Sequence, residues 1–126
     1  YTVTVLTVLS WRSVVASSKA AGISWDGVLS CEFLPAYKPE RAAYLAAPRL
    51  IGCAPHETIM AACHADQDLD PAMQAGLAAA YVDRPAEYGK AREPALPGRR
   101  QYMVEALDYA GFAKQLTDPD YARAAE

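Results

Sequence analysis

The sequence predicts a three-layer α/β fold with a mainly parallel sheet. Three observations indicate it: short, nearly uniformly apolar strand-like segments, helix-like segments that alternate with them, and Gly or Pro at helix boundaries. Strands that are apolar on both faces are covered by helices on both sides, and right-handed crossovers join them. We therefore expect the order β-α-β-α-β-α-β, then a loop, a last short strand and a closing helix.

Each element rests on a segment of the sequence. The first four strands are assigned to "YTVTVLT", "WDGVLSC", "ETIMAAC" and "LAAAYV". The helices between them are "WRSVVASSKAAG", ending on Gly22, "KPERAAYLAAPRLIG", with Pro39 at its N-terminus and a stop near Gly52, and "DPAMQAG", with Asp70 as its N-cap. Pro, Gly and charged residues predict a long surface loop over 84–100. "YMVEAL" and "YAGFAKQL" are the last strand and helix.

Length, charge and cysteine spacing predict a small domain that does not bind nucleic acid or membranes. The chain has 126 residues, which fits one domain, and a net charge of −3 with scattered basic residues, which disfavours nucleic-acid binding. It has neither an apolar run long enough for a bilayer nor a signal-peptide pattern at its start, so we expect no membrane association and a soluble, cytoplasmic protein. Cys31, Cys53 and Cys63 have no disulfide or zinc-site spacing and predict buried thiols in a reducing compartment.

Polar residues after the predicted strands are the candidate site residues. Ligands of parallel sheets bind beyond the carboxyl ends of the strands. Thr7 follows the first strand, and its hydroxyl could donate to an anionic oxygen. Lys38, in "AYKPERAAY", follows the second strand and precedes a helix. On the residues alone, Lys38 is either an anion-binding or catalytic lysine or a solvated surface lysine.

The segment "ACHADQDLD" follows the third strand and carries His64, Asp66, Asp68 and Asp70. A metal site is one interpretation, but it requires His64 and Asp68 to share a turn and a further ligand to come from elsewhere. A polar loop with Asp70 capping the next helix is the other. Both remain open from the residues alone.

Several segments together resemble a known family. "AAGISWDGVLSCE", "YKPERAAY", "ACHADQDLDPAMQAGLAAAYVDRPAEYG" and "ALDYAGFAKQL" are similar, in this order, to the type II subfamily of the haloacid dehalogenase (HAD) superfamily, the L-2-haloacid dehalogenases. The resemblance covers nearly the whole chain and implies a Rossmann-like core. It places the second motif of the superfamily on Thr7, the third on Lys38 and the fourth on Asp68.

The resemblance also implies a reaction. In the family an aspartate attacks the halogen-bearing carbon of a small 2-haloacid, and water hydrolyses the resulting ester without metal or cofactor. Lys38 would orient that carboxylate, while Asp68 would hold Lys38 and position the water. Tyr44 matches an active-site tyrosine of the dehalogenases, and the resemblance implies that Tyr44, Cys63 and His64 contact the substrate.

The chain departs from the family pattern at several positions. Val8 stands where the family has an asparagine, and Ala65 where many members have Asn or His. The nucleophilic aspartate and the helical cap precede the second motif in the family, whereas this chain begins at Tyr1 within the second core strand. We therefore expect residues 1–126 to form a partial HAD-like core domain, lacking the central first strand and the cap. The strands ending at Thr7 and Ala62 would then either pair directly or leave a gap.

Three functions follow as hypotheses. The chain is the C-terminal half of a dehalogenase of short 2-haloalkanoic acids, or a non-catalytic half-domain that pairs with another chain. The departures and Pro48, which lies inside a predicted helix, favour the half-domain. A Mg²⁺-dependent phosphatase of the same superfamily is less favoured, because His64 stands where phosphatases have a metal-binding aspartate. The expected partners are a 2-haloacid and either a second copy of the chain or a complementary N-terminal half.

Overall fold

The computed structural model describes residues 1–98, 101–118 and 120, and its mixed helices and parallel strands confirm the predicted α/β class. The elements are β1 Thr4–Thr7, α1 Trp11–Ala21, β2 Gly27–Ser30, α2 Arg41–Ile51, β3 Ile59–Ala62, α3 Asp70–Gln74, β4 Ala78–Val82, β5 Val104–Ala106 and α4 Tyr109–Thr117. Their order is the predicted one. Within the described ranges, no helix combines the length and apolar character required to cross a membrane.

The strands form two parallel sheets. β1 pairs with β2, and β3, β4 and β5 form the second sheet in that order. Among the described residues β1 and β3 do not pair with each other, so each is an edge strand. Of the two expected arrangements, the structure has the gap.

A shared apolar core joins the two sheets. Tyr44 of α2 packs with Ala72 and Ala75 of α3, and all three are almost fully buried. Leu6 of β1 and Met60 of β3 pack against this cluster, one from each sheet. The two sheets are therefore held in one packed unit.

The start of α2 differs from the prediction. Pro39 is not at the helical N-terminus: α2 begins at Arg41, with Glu40 as N-cap. The reason is a turn, closed by the Glu40 N–H donating to the Tyr37 carbonyl at 2.9 Å, which takes up Lys38 and Pro39 before the helix begins. Lys38 is therefore a turn residue.

The C-terminus of α2 confirms the predicted stop. The helix continues through Pro48, which is buried in its last turn, and ends before Gly52. Gly52 has φ +76°, a left-handed conformation that glycine adopts without a Cβ penalty. Its N–H and that of Cys53 donate to the carbonyls of Arg49 and Pro48, which satisfies the end of the helix.

The polar segment after β3 is helical. Ala65–Leu69 forms a π-helical turn in which the Leu69 N–H donates to the His64 carbonyl at 3.2 Å. This turn runs directly into α3, so Leu69 is the N-cap and Asp70 is the first helical residue. The predictions of a polar loop and of an Asp70 cap are therefore wrong, because the backbone continues from one helical form into the other.

Asp83 anchors the chain after β4. Its buried carboxylate accepts hydrogen bonds from the Arg92 guanidinium, the Ala95 N–H at 2.9 Å and the Tyr81 hydroxyl at 3.0 Å. Hydrogen bonding from Arg92 outweighs burial and lowers the pKa of Asp83 to about 2. Residues 84–98 contain no helix or strand, and the rest of the predicted loop, residues 99–100, lies outside the described residues.

Candidate active site

Lys38 and Asp68 meet at the carboxyl ends of the strands. Lys38 lies on the turn just before α2, in the segment that connects β2 to this helix, and Asp68 lies on the π-helical turn that follows β3. Lys38 Nζ and Asp68 Oδ1 are 2.6 Å apart, and their side chains are only 15% and 13% exposed. Because β2 and β3 belong to different sheets, this ion pair connects the two sheets across the gap.

The chemistry of this pair suits anion binding. An ammonium group has three N–H donors, so Lys38 can bond Asp68 and still donate to a second oxygen. In a partly buried site such charge-assisted bonds are stronger than in water. The pair can therefore hold a carboxylate or a developing negative charge next to Lys38.

Tyr44 supports the turn that carries Asp68. Its fully buried hydroxyl donates to the Gln67 carbonyl at 2.7 Å. Burial first, and then the charge of Asp68, raise the pKa of Tyr44 to about 12, so the phenol is a neutral donor. The hydroxyl that the resemblance assigns to the substrate thus bonds the backbone beside Asp68, and substrate contact by Tyr44 stays a prediction.

Thr7 is the candidate residue that the structure does not connect to this pair. It is the last residue of β1, and its Oγ1 accepts a hydrogen bond from the Leu9 N–H at 3.1 Å. Across the described part of the chain, no hydrogen bond or ion pair joins Thr7 to Lys38 or Asp68. Its motif role stays a prediction.

Cys63 and His64 converge on Glu87. The Cys63 thiol donates to Glu87 Oε2 at 3.2 Å, and His64 Nε2 lies 3.1 Å from the same oxygen. Burial and the hydrogen bond to Glu87 raise the pKa of Cys63 to about 11, so at neutral pH it is a thiol and not a nucleophilic thiolate. Burial alone would raise the pKa of Glu87, but hydrogen bonds with Cys63 and His64 lower it, so Glu87 is a carboxylate.

Glu87 is the residue of this region that sequence reasoning missed. It lies in "DRPAEYG", where a glutamate is indistinguishable from a solvated loop residue. Its position shortly after the carboxyl end of β4 is the signal that could have identified it. The structure also separates the pair considered for a metal, because Asp68 contacts Lys38 whereas His64 contacts Glu87.

Solved structures resemble this chain over most of its length. One is the crystal structure of an L-2-haloacid dehalogenase, 30% identical over 90% of this chain and 50% of its own, with a TM-score of 0.80. Another, of a defluorinating L-2-haloacid dehalogenase, is 31% identical over 94% of this chain and 48% of its own, with a TM-score of 0.81. A HAD phosphatase from Thermococcus onnurineus, 22% identical over 93% of this chain and 51% of its own, has a TM-score of 0.72 and shows the fold alone.

No protein-family model and no curated protein matches the chain. Its elements and their arrangement nevertheless define an α/β protein with a HAD-like core. The chain is similar to the L-2-haloacid dehalogenases of the HAD superfamily, which confirms the resemblance seen in its motifs. It spans about half the length of the dehalogenases that it matches.

Proposed function

We propose that the chain supplies Lys38 and Asp68 to an active site that hydrolyses short 2-haloalkanoic acids, as the C-terminal half of an L-2-haloacid dehalogenase-like enzyme. The observation that carries the proposal is the 2.6 Å contact between these two side chains. Their contact matches the third and fourth motifs of the family, and the 30–31% identity to two dehalogenases supports the reaction class.

The reaction proceeds in two steps. A carboxylate, supplied by the N-terminal half, attacks C2 of the haloacid, and the carbon–halogen bond breaks to release halide and form an aspartyl ester. Water then adds to the ester carbonyl, which releases the 2-hydroxy acid and a proton and regenerates the carboxylate. Lys38 holds the attacking carboxylate and stabilises the charge on the ester oxygen, while Asp68 fixes the ammonium.

The substrate contacts of the proposed enzyme follow from the same resemblance to the dehalogenase family. Thr7, Tyr44, Cys63 and His64 would border the haloacid, with Thr7 donating to its carboxylate. Neither metal nor cofactor takes part, because the Lys38 ammonium provides the positive charge beside Asp68. The enzyme would act in the cytoplasm.

A non-catalytic half-domain is the second candidate. The observation that favours it is the gap between β1 and β3, whose edges can pair with a strand from another chain. Val8 and Ala65 also lack the polar groups that the family uses at these positions. The partner in this case is a second copy or a complementary half.

A Mg²⁺-dependent phosphatase has less support. Mg²⁺ prefers several hard oxygen ligands in octahedral geometry. Here the Asp68 carboxylate is bonded to Lys38, and Cys63 and His64 offer sulfur and nitrogen. The phosphatase among the solved structures is similar in fold only.

The test is halide release from (S)-2-chloropropionate. The 126-residue chain alone should release none, and the protein extended upstream in its reading frame should be active. Lys38→Met in the extended protein should lower kcat by roughly 10²–10³-fold, the usual effect of losing a charge-stabilising donor. Lys19→Met, which removes an exposed lysine on α1, is the matched control and should leave kcat unchanged.

Three outcomes contradict parts of the proposal. Turnover by the 126-residue chain alone means that the nucleophile lies within it. A folded extended protein without halide release favours the half-domain. Activity lost with a chelator and restored by Mg²⁺ contradicts the metal-free reaction.

A further inference from the structure

Three metal-ligating side chains converge beside the candidate site. Cys63 and His64 directly follow β3, and Glu87 lies on the chain that follows β4. The two strands are parallel neighbours with Ala62 opposite Tyr81, so their carboxyl ends lie side by side. One ligand atom from each of the three side chains lies within 4.8 Å of the other two.

The spacing is close to that of a tetrahedral zinc site. Zn–N and Zn–O bonds of about 2.0–2.1 Å and a Zn–S bond of about 2.3 Å separate the ligand atoms by roughly 3.3–3.8 Å. Here Glu87 Oε2 is 3.2 Å from Cys63 Sγ and 3.1 Å from His64 Nε2. Both of these distances are only a few tenths of an ångström short of the tetrahedral spacing, and Cys63 Sγ and His64 Nε2 lie within 4.8 Å of each other.

We propose that Cys63, His64 and Glu87 form a three-ligand site for Zn²⁺, with water in the fourth position. A thiolate, an imidazole and a carboxylate suit zinc, whereas Mg²⁺ prefers oxygen ligands alone. Binding replaces the S–H bond of Cys63 with a Zn–S bond, and the proton goes to solvent. His64 and Glu87 are 35% and 20% exposed, which gives the ion access from solvent.

The groups next to the three ligands leave room for a zinc ion. Arg84 Nη1 lies 3.3 Å from Glu87 Oε1, but its side chain is half exposed and can move into solvent when a cation binds. The Tyr88 hydroxyl lies 3.3 Å from His64 Nε2, and Tyr88 is 83% exposed, so it can also withdraw. The thiolate and Glu87 together balance the charge of the ion.

This inference does not rest on the proposed function. Cys63 and His64 are also proposed to border the haloacid, but Lys38 and Asp68, which carry the proposed reaction, are not among the three ligands. Zinc binding is measured without substrate, so its result is independent of the halide-release assay. The protein can bind zinc and fail to dehalogenate, or dehalogenate and fail to bind zinc.

The experiment titrates the purified protein with Zn²⁺ by calorimetry and with Co²⁺ as an absorbing substitute. We expect one ion per chain and a thiolate-to-Co²⁺ charge-transfer band in the near ultraviolet. Cys63→Ser should abolish the band and weaken Zn²⁺ binding at least about tenfold, since even outer-shell changes cost about 10–100-fold. The matched control is Cys53→Ser, which removes another partly buried cysteine and should change neither measurement.

A second variant keeps the test decisive if Cys63→Ser does not fold. Glu87→Gln keeps the thiolate, so it should retain the band and lose at least about tenfold in affinity. Circular dichroism reports whether each variant is folded, and if Cys63→Ser is unfolded, Glu87→Gln decides. The site is disproved if folded wild-type protein binds Zn²⁺ no more tightly than Cys63→Ser or Glu87→Gln, or if Cys53→Ser loses the band.

Discussion

Replacing Lys38 by methionine tests whether the ion pair with Asp68 holds the two sheets together. The change removes the ammonium and keeps a side chain of similar length, so the Asp68 carboxylate loses its partner at 2.6 Å. Removing one member of a fully buried pair costs roughly 3–5 kcal/mol, and the residual exposure of both side chains reduces this to about 2–3 kcal/mol here.

The contribution of the ion pair to the free energy of unfolding is measured by urea unfolding of four proteins. They are the wild type, Lys38→Met, Asp68→Asn and the double variant. The coupling energy is the effect of the double variant minus the effects of the two single variants. It separates the interaction between Lys38 and Asp68 from the other effects of losing each side chain. We expect about 1–3 kcal/mol of coupling, because the double variant leaves no unpaired charge. Lys19→Met should stay within about 0.5 kcal/mol of wild type as a surface control. A coupling energy below about 0.5 kcal/mol would refute the structural role of the pair.

Three further predictions concern Tyr44, Asp83 and Cys63. Tyr44→Phe leaves the buried Gln67 carbonyl without its donor and should lower the free energy of unfolding by about 1–3 kcal/mol; an unchanged urea midpoint would contradict this. The lowered pKa of Asp83 stabilises the fold above its ordinary value of 3.8, and this contribution is lost as pH falls towards about 2. Asp83→Asn should therefore flatten the fall in stability over that interval, and unchanged acid unfolding would argue against the contact with Arg92. Because its pKa is raised to about 11, Cys63 should react with iodoacetamide at pH 7.5 more slowly than a free cysteine thiol, as peptide mass spectrometry would show.

The order of the elements could be predicted because its signals are local. Apolar runs define the strands, and glycines end α1 and α2, where Gly22 and Gly52 adopt the positive φ angles that favour glycine. The helix starts were less predictable. Pro39 and Asp70 both have residue types that favour a first helical turn, but hydrogen bonds of neighbouring backbone groups decided where α2 and α3 begin.

The candidate site could be predicted only in part. Positions after predicted strands made Lys38 and Asp68 candidates, and the family motifs assigned their roles. Their contact, however, joins residues 30 positions apart, which no local pattern encodes. Glu87 was missed for the same reason. Its contacts with Cys63 and His64 arise from the register of β3 against β4, which places the ends of these strands together.

The gap between the sheets explains why side chains bind the turn that carries Asp68. Two side chains from the part of the chain after β2 reach the π-helical turn after β3: Lys38 bonds Asp68, and Tyr44 bonds the adjacent carbonyl of Gln67. Strand pairing cannot position this turn relative to the first sheet, because β1 and β3 share no backbone hydrogen bonds among the described residues. Side chains therefore position the turn in place of strand pairing. Lys38 and Asp68, which would take part in the chemistry, thus add to the apolar core in holding the two sheets together, so a change at Lys38 affects both stability and the proposed reaction.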